Sequence, residues 1–228
     1  MNICGIEKVS LVDFDGKICA TLFCPGCNFA CPYCHNGGIL SDSTTLLNQA
    51  EVFDLLTKRK KMLDAVTVSG GEPTLQKDLS EFLKQLKDMG YAVKLDTNGS
   101  NFDALKHVVE NKLVDYVAMD VKNSKECYTK TIGKINFDLS QILQSIEFLK
   151  QNKVDYEFRT TLVKDFHTQQ SIESMATLLN GAKKLFLQKF KQTETCLSTG
   201  LLPVPKEQAE LFAKILRTTV NQVFLRGY

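Results

Sequence analysis

The stretch Ala65-Val66-Thr67-Val68-Ser69-Gly70-Gly71-Glu72-Pro73, followed by Leu79 to Met89, Gly90 and Tyr91-Ala92-Val93-Lys94-Leu95, decides the fold. Ala65 to Ser69 is short, apolar and β-branched, and reads as a buried strand. Leu79 to Met89 has helical periodicity, and Gly90 stands where a left-handed residue ends a helix. Tyr91 to Leu95 is a second buried strand. A strand, a helix and another strand at this spacing make a unit of a parallel sheet.

The same alternation extends in both directions. Ile6 to Asp13 reads as an edge strand and Ile18 to Phe23 as the first central strand, with a helix from Gln49 to Lys61. Downstream come helix Phe102 to Asn111, strand Tyr116 to Val121, helix Leu139 to Asn152, strand Tyr156 to Val163 and helix Ser171 to Leu179. Strand Lys184 to Gln188, helix Lys206 to Leu216 and strand Gln222 to Leu225 complete the chain. No linker, repeat or low-complexity segment interrupts the pattern, so residues 1–228 are expected to form a single domain. Six main strands are too few for a closed eight-stranded barrel, and 228 residues fall short of the typical ~250. The expected fold is α/β, a partial (βα)6 TIM-like barrel on a parallel sheet.

A composition of 43% hydrophobic and 24% charged residues is ordinary for a globular protein. A net charge of +2 offers no footprint for nucleic acid or an anionic membrane, and Lys58-Arg59-Lys60-Lys61 reads as the solvated end of a helix. The N-terminal residues do not read as a leader and no apolar run approaches about 18 residues, so a cytoplasmic protein is expected, with neither nucleic-acid nor membrane partner. Its eight cysteines are then thiols or metal ligands rather than disulfides. Cys4, Cys19, Cys127 and Cys196 are scattered and read as incidental.

Cys27-Asn28-Phe29-Ala30-Cys31-Pro32-Tyr33-Cys34-His35-Asn36 concentrates three of the others. Three thiolates can hold three irons of a cubane cluster and leave the fourth open to a small molecule. Cys24 adds a fourth thiol just upstream, so a closed zinc site or a fully ligated cluster is the alternative.

Other unusual residues fall at the carboxyl ends of strands, where ligands bind in such folds. Gly70 and Gly71 permit close backbone approach, and the Glu72 carboxylate could meet an ammonium group; a plain turn is the rival reading. Asp96-Thr97-Asn98-Gly99 could equally be a turn. Asp120 and Lys122, two apart, point to one side of the sheet. Arg159, in an apolar strand, suits capture of a carboxylate or an ion pair with Asp120. His167 is a possible ligand contact, His107 reads as a surface residue, and His35 as a support for the cysteine loop.

These segments together resemble the radical S-adenosylmethionine superfamily. Cys27-x3-Cys31-x2-Cys34, with Tyr33 before the third cysteine, is similar to its cluster motif, and Gly70-Gly71-Glu72-Pro73 to its methionine-binding segment. Cys34-His35-Asn36, Asp96-Thr97-Asn98-Gly99 and Asp120-Val121-Lys122 resemble segments of glycyl-radical-enzyme activases. The opening Val9 to Lys17, with Gly26-Cys27-Asn28-Phe29, is most similar to activators of anaerobic ribonucleoside-triphosphate reductase.

The resemblance implies a 4Fe-4S cluster on Cys27, Cys31 and Cys34, with S-adenosyl-L-methionine at the open iron. It implies Gly70, Gly71 and Glu72 around the cofactor amine, Lys122 and Arg159 toward its carboxylate, and Asn36, Asp96 and Asn98 as further contacts. Tyr33 would lie against adenine through its backbone, with Leu187 as an apolar neighbour and His167 near the nucleoside. Asp96, Thr97, Asp120 and the Ala118 carbonyl resemble a monovalent-cation site. The implied partners are a glycyl-radical enzyme, an anaerobic ribonucleotide reductase in the first instance, and a flavodoxin- or ferredoxin-type electron donor. The rivals are a radical reaction on a small molecule, such as deazapurine formation, and a non-catalytic iron-sulfur or zinc module. The chain departs from the activase pattern at Cys24, at Val163-Lys164-Asp165, where many relatives have Val-Pro-Gly, and in lacking a cysteine-rich insertion.

Overall fold

Strands buried on both faces need neighbours on both sides, and the computed structural model, which describes residues 1–40 and 44–228, provides them. β2 (Cys19–Cys24), β3 (Ala65–Gly70), β4 (Ala92–Thr97) and β5 (Tyr116–Asp120) are followed by β6 (Asp155–Leu162), β7 (Lys184–Lys189) and β8 (Gln222–Arg226). All seven run parallel, each beside its predecessor, and β1 (Gly5–Ser10) joins β2 antiparallel. The eight strands form one sheet in chain order, and it does not close.

Helices make the crossovers. They are α1 (Gln49–Arg59), α2 (Leu79–Asp88), α3 (Phe102–Glu110), α4 (Lys125–Thr131), α5 (Ser140–Lys150), α6 (Gln169–Leu178) and α7 (Lys206–Leu216). Local chemistry sets their ends. Asn48 caps α1 through Ala50 N–H, Thr168 and Ser171 form a capping box on α6, and Gly90 at φ +78° follows α2. Val52, Leu56, Leu83, Leu86 and Leu105 turn inward to one continuous core. Among the described residues no helix is long and apolar enough to cross a membrane.

Two local readings change. β1 ends at Ser10 rather than Asp13, because Ser10 Oγ accepts the N–H groups of Val12 and Asp13 and turns the chain. Phe14 then packs with Cys19 and Ala65 beneath the sheet. The short helix α4 was not expected; it fills the crossover between β5 and α5. The basic run behaves as a helix end, with Lys58 bonded to Asp54 and Lys60 to the Gly90 carbonyl.

Candidate active site

Parallel strands present their carboxyl ends on one rim, and a cavity of about 350 Å³ opens there. Cys27, Phe29, Cys31, Tyr33, Cys34 and Asn36 line it from the loop after β2. Gly70, Gly71 and Glu72 join from β3, Asp96, Thr97 and Asn98 from β4, Asp120 and Lys122 from β5, and Arg159 from β6.

The cysteine loop is held by backbone. Gly71 N–H donates to the Cys24 carbonyl and Glu72 N–H to the Gly26 carbonyl, both at 2.8 Å. A Cβ on Gly71 would stand 1.8 Å from the Gly26 oxygen; on Gly70, at φ +116°, it would meet Cys24 backbone at 2.4 Å. The close approach that calls for glycine is therefore that of the cysteine loop. Further along, Ala30 N–H donates to the Ile132 carbonyl at 2.9 Å, and Ser198 N–H to the Pro32 carbonyl at 2.8 Å. Asn36 Nδ2 donates to the Gly70 carbonyl at 2.8 Å.

Burial pushes the Cys27 thiol up to about 11 and the Cys31 thiol up to about 12, and raises that of Cys34. Lys122 pulls all three the other way. Metal-free, they are neutral thiols at pH 7. Among the described residues no three His, Cys, Asp or Glu side chains converge on a position for a single metal ion. Three soft donors lining one cavity suit a multi-iron group with an open iron, whereas a closed zinc site needs a fourth ligand. Cys24 does not line the cavity. Its buried thiol donates to the Ser69 carbonyl at 3.0 Å, so the four-thiol alternative lacks its fourth ligand.

A charged strip crosses the inner face. Lys94 pairs with Asp96 at 3.1 Å, Arg159 joins Asp96 at 3.0 Å and Asp120 at 2.8 Å, and Lys122 meets Asp120 at 2.8 Å. Burial alone would raise both carboxyls. Arg159 and Lys122 overcome it and hold Asp120 at about 2, while Arg159 and Lys94 hold Asp96 below its usual range. The strip thus has three cations against two anions, and Lys122 and Arg159 reach the cavity wall.

Several expected roles change. Of the residues named for a monovalent cation, Asp96 and Asp120 are paired with Lys94, Arg159 and Lys122, and Thr97 Oγ1 donates to Glu72 at 2.7 Å. Ala118 is fully buried and does not line the cavity. Leu187 faces the helices, because strand side chains alternate; its neighbour Gln188 lines the cavity. His167 is buried between the Val163 backbone and the Lys122 carbonyl, with Nε2 3.0 Å from the latter, and does not reach the cavity. Burial lowers its pKa, so it supports the Lys122 backbone as a neutral ring. Arg159 spends its guanidinium on Asp96 and Asp120, the ion-pair reading.

Glu72 is also committed. Its Oε1 accepts from Thr74 N–H, Thr74 Oγ1 and Thr97 Oγ1, and its Oε2 from Asn98 N–H at 2.6 Å, leaving acceptor capacity only on Oε2. The residue ties β3 to β4. Tyr33 turns its ring toward Phe166 and Phe190, so its backbone is the part that can serve a ligand. Sequence reasoning missed Ser69, Thr161, Gln188 and Asp13 on the wall. Alternation from Arg159 would have found Thr161. It also missed the segment after β7, where Thr195 Oγ1 donates to the His35 carbonyl at 2.5 Å.

A profile of the Radical SAM superfamily matches residues 21–179. A Methanocaldococcus jannaschii protein carrying the provisional name of glycyl-radical enzyme activating enzyme is 34% identical over 231 residues, spanning 98% of this chain and 95% of its own. A domain of pyruvate-formate lyase-activating enzyme from Bacteroides vulgatus has the same fold, with a TM-score of 0.56 at 18% identity, covering 72% of this chain and 99% of that domain. Streptococcus suis SuiB bound to S-adenosylmethionine gives a TM-score of 0.68 at 11% identity, over 89% of this chain and 48% of SuiB.

Proposed function

This chain belongs to the radical S-adenosylmethionine superfamily, and from that premise we propose that it activates a glycyl-radical enzyme, with an anaerobic ribonucleoside-triphosphate reductase as the first target to test. Members of the superfamily are enzymes that use a 4Fe-4S cluster and S-adenosyl-L-methionine. The observation that carries the reading is the set of three thiols, Cys27, Cys31 and Cys34, on one cavity wall, in a chain similar over its whole length to an activase-named relative.

The residues fit both groups. Cys27, Cys31 and Cys34 would hold the cluster, and Cys24 would stay in the fold. When bound, the reduced cluster would supply one electron for reductive cleavage of S-adenosylmethionine to methionine and a 5′-deoxyadenosyl group, the chemistry that would remove a hydrogen atom from a glycine Cα. Lys122 would receive the cofactor carboxylate, with Asp120 keeping its ammonium charged and aimed. Buried Lys94 and Arg159 keep the carboxylates beneath from repelling that anion. The Gly70 carbonyl and Glu72 Oε2 would be the acceptors offered to the cofactor amine. Phe29 and Leu40 give the cavity apolar wall that limits water. A polypeptide substrate suits a sheet whose two edge strands, β1 and β8, leave one flank open. A reducing cytoplasm would keep the cysteines as thiols, and a flavodoxin- or ferredoxin-type donor would supply electrons.

Anaerobic reconstitution followed by reduction with S-adenosylmethionine should yield 5′-deoxyadenosine. Adding the candidate reductase should then yield a glycyl-radical doublet in electron paramagnetic resonance. An intact cluster that forms no 5′-deoxyadenosine would overturn the activase reading; cleavage without a doublet would overturn the reductase as target.

A further inference from the structure

Asn98 is a buried side chain aimed at a thiol sulfur. Its Nδ2 lies 3.7 Å from Cys27 Sγ and 3.0 Å from Asn28 Oδ1. The direction of the amide is settled by its neighbours. Asn98 Oδ1 accepts the Ser100 backbone N–H at 2.9 Å, a group that can only donate, so the other end carries the NH2. Asn28 must then present its oxygen to Asn98, and its own Nδ2 donates to Ser100 Oγ at 2.7 Å. Below, Asn98 N–H is fixed on Glu72 Oε2. With both ends of the amide engaged, Asn98 is turned from the cofactor contact expected of it toward the cysteine loop.

We propose that Asn98 tunes the cluster: its side-chain N–H donates to the Cys27 sulfur when that sulfur is a cluster ligand, and raises the potential of the one-electron couple. The inference rests on the functional reading above. A bare thiol is a weak acceptor, which accounts for the 3.7 Å separation. A ligating thiolate is anionic, so the same bond becomes charge-assisted and shortens. Hydrogen bonds to cluster sulfurs draw off negative charge and favour the reduced state. Phe29 N–H, 3.4 Å from the same sulfur, adds a backbone donor, but among the described residues only Asn98 brings a side-chain N–H to it. The arrangement also gives Glu72 a purpose: its carboxylate, through Oε2, is the anchor from which Asn98 reaches the loop. Asn98 is thus a positioning residue acting through Cys27.

The test labels only asparagine side-chain amides with 15N, reconstitutes the full chain anaerobically, reduces it, and reads nitrogen couplings by pulsed electron paramagnetic resonance. The expected result is a 15N coupling to the reduced cluster that Asn98→Asp abolishes. That variant retains an acceptor for Ser100 N–H. At equal iron content it should also show a lower midpoint potential in a redox titration. A reduced wild-type cluster without this coupling overturns the proposal and leaves the functional reading standing. A coupling that survives Asn98→Asp, or an unchanged potential, does the same. A chain that assembles no cluster overturns both. If Asn98→Asp does not fold, Asn36→Ala decides: the coupling persists if Asn98 is its source and vanishes if Asn36 is.

Discussion

Replacing Gly71 with alanine tests whether the glycine pair serves the cysteine loop. The new Cβ would stand 1.8 Å from the Gly26 oxygen, against a floor of 3.0 Å for real Cβ contacts. The two backbones must part by about 1.2 Å. The obstacle is a carbonyl and not a side chain, so no rotamer change relieves it. Such a displacement stretches the bonds from Gly71 N–H to Cys24 and from Glu72 N–H to Gly26, each now 2.8 Å, beyond bonding range. Two bonds at about 1 kcal/mol each, plus the cost of polar groups left unpaired, give about 3 kcal/mol. That is roughly a hundredfold in the folding constant. Urea denaturation of the metal-free chain reads this directly, and iron bound after anaerobic reconstitution should fall with it. Gly38→Ala is the control: among the described residues its Cβ would find only Thr195 Cγ2, at 4.0 Å, and should move stability by less than about 0.5 kcal/mol. Gly71→Ala matching this control in both stability and iron would refute the reasoning.

Asp120, held at about 2 from a usual 3.8 against the effect of burial, contributes stability that is present above about pH 4 and lost as the pH falls toward 2, at most about 2 kcal/mol. Asp120→Asn should flatten that acid limb in a Tm-against-pH profile of the metal-free chain; an unchanged slope would count against the pairing. Arg159→Met should cost about 3–5 kcal/mol in urea, because it leaves Asp96 and Asp120 without their shared partner; a loss below about 1 kcal/mol would mean the strip is not structural. Cys24→Ala should keep the wild-type iron content while Cys31→Ala loses it, and equal loss in both would restore the four-thiol site.

Strand order was legible because each strand from Ile18 onward is bounded by a helical pattern, and sequential βα units leave little topological choice. The short α4 lacks enough residues to show a period. The segment after β7 is polar and aperiodic, and it meets the cysteine loop across a separation of 160 residues, which no local pattern encodes. Within the site, residue types were readable but allegiances were not. Alternation says that Leu187 and Gln188 face opposite ways; only the register pairing Thr161 with Gln188 says which one shares a face with Arg159. Asp120 was visible as an inward carboxylate and its pairing with Arg159 as an alternative, but Asp96 read as a turn residue, and its partners Arg159 and Lys94 could not be read from it. Those pairings turn an apparent cation site into a compensated strip.

The cysteine loop and the glycine pair, separate as motifs, are one physical unit. Gly71 meets Gly26, Gly133 leaves a space in which a Cβ would lie 2.2 Å from the Ala30 oxygen, and Gly37 does the same for Thr195, at 2.1 Å. In each case the opposing atom is a backbone oxygen. The loop is thus shaped in part by backbone contacts, and its Phe29, Cys31 and Tyr33 join the same apolar core as the strands. It follows that Gly37, Gly71 and Gly133 cannot take a larger residue without moving the backbone that faces them, whereas a change at Thr195 would remove one side-chain bond to the His35 carbonyl.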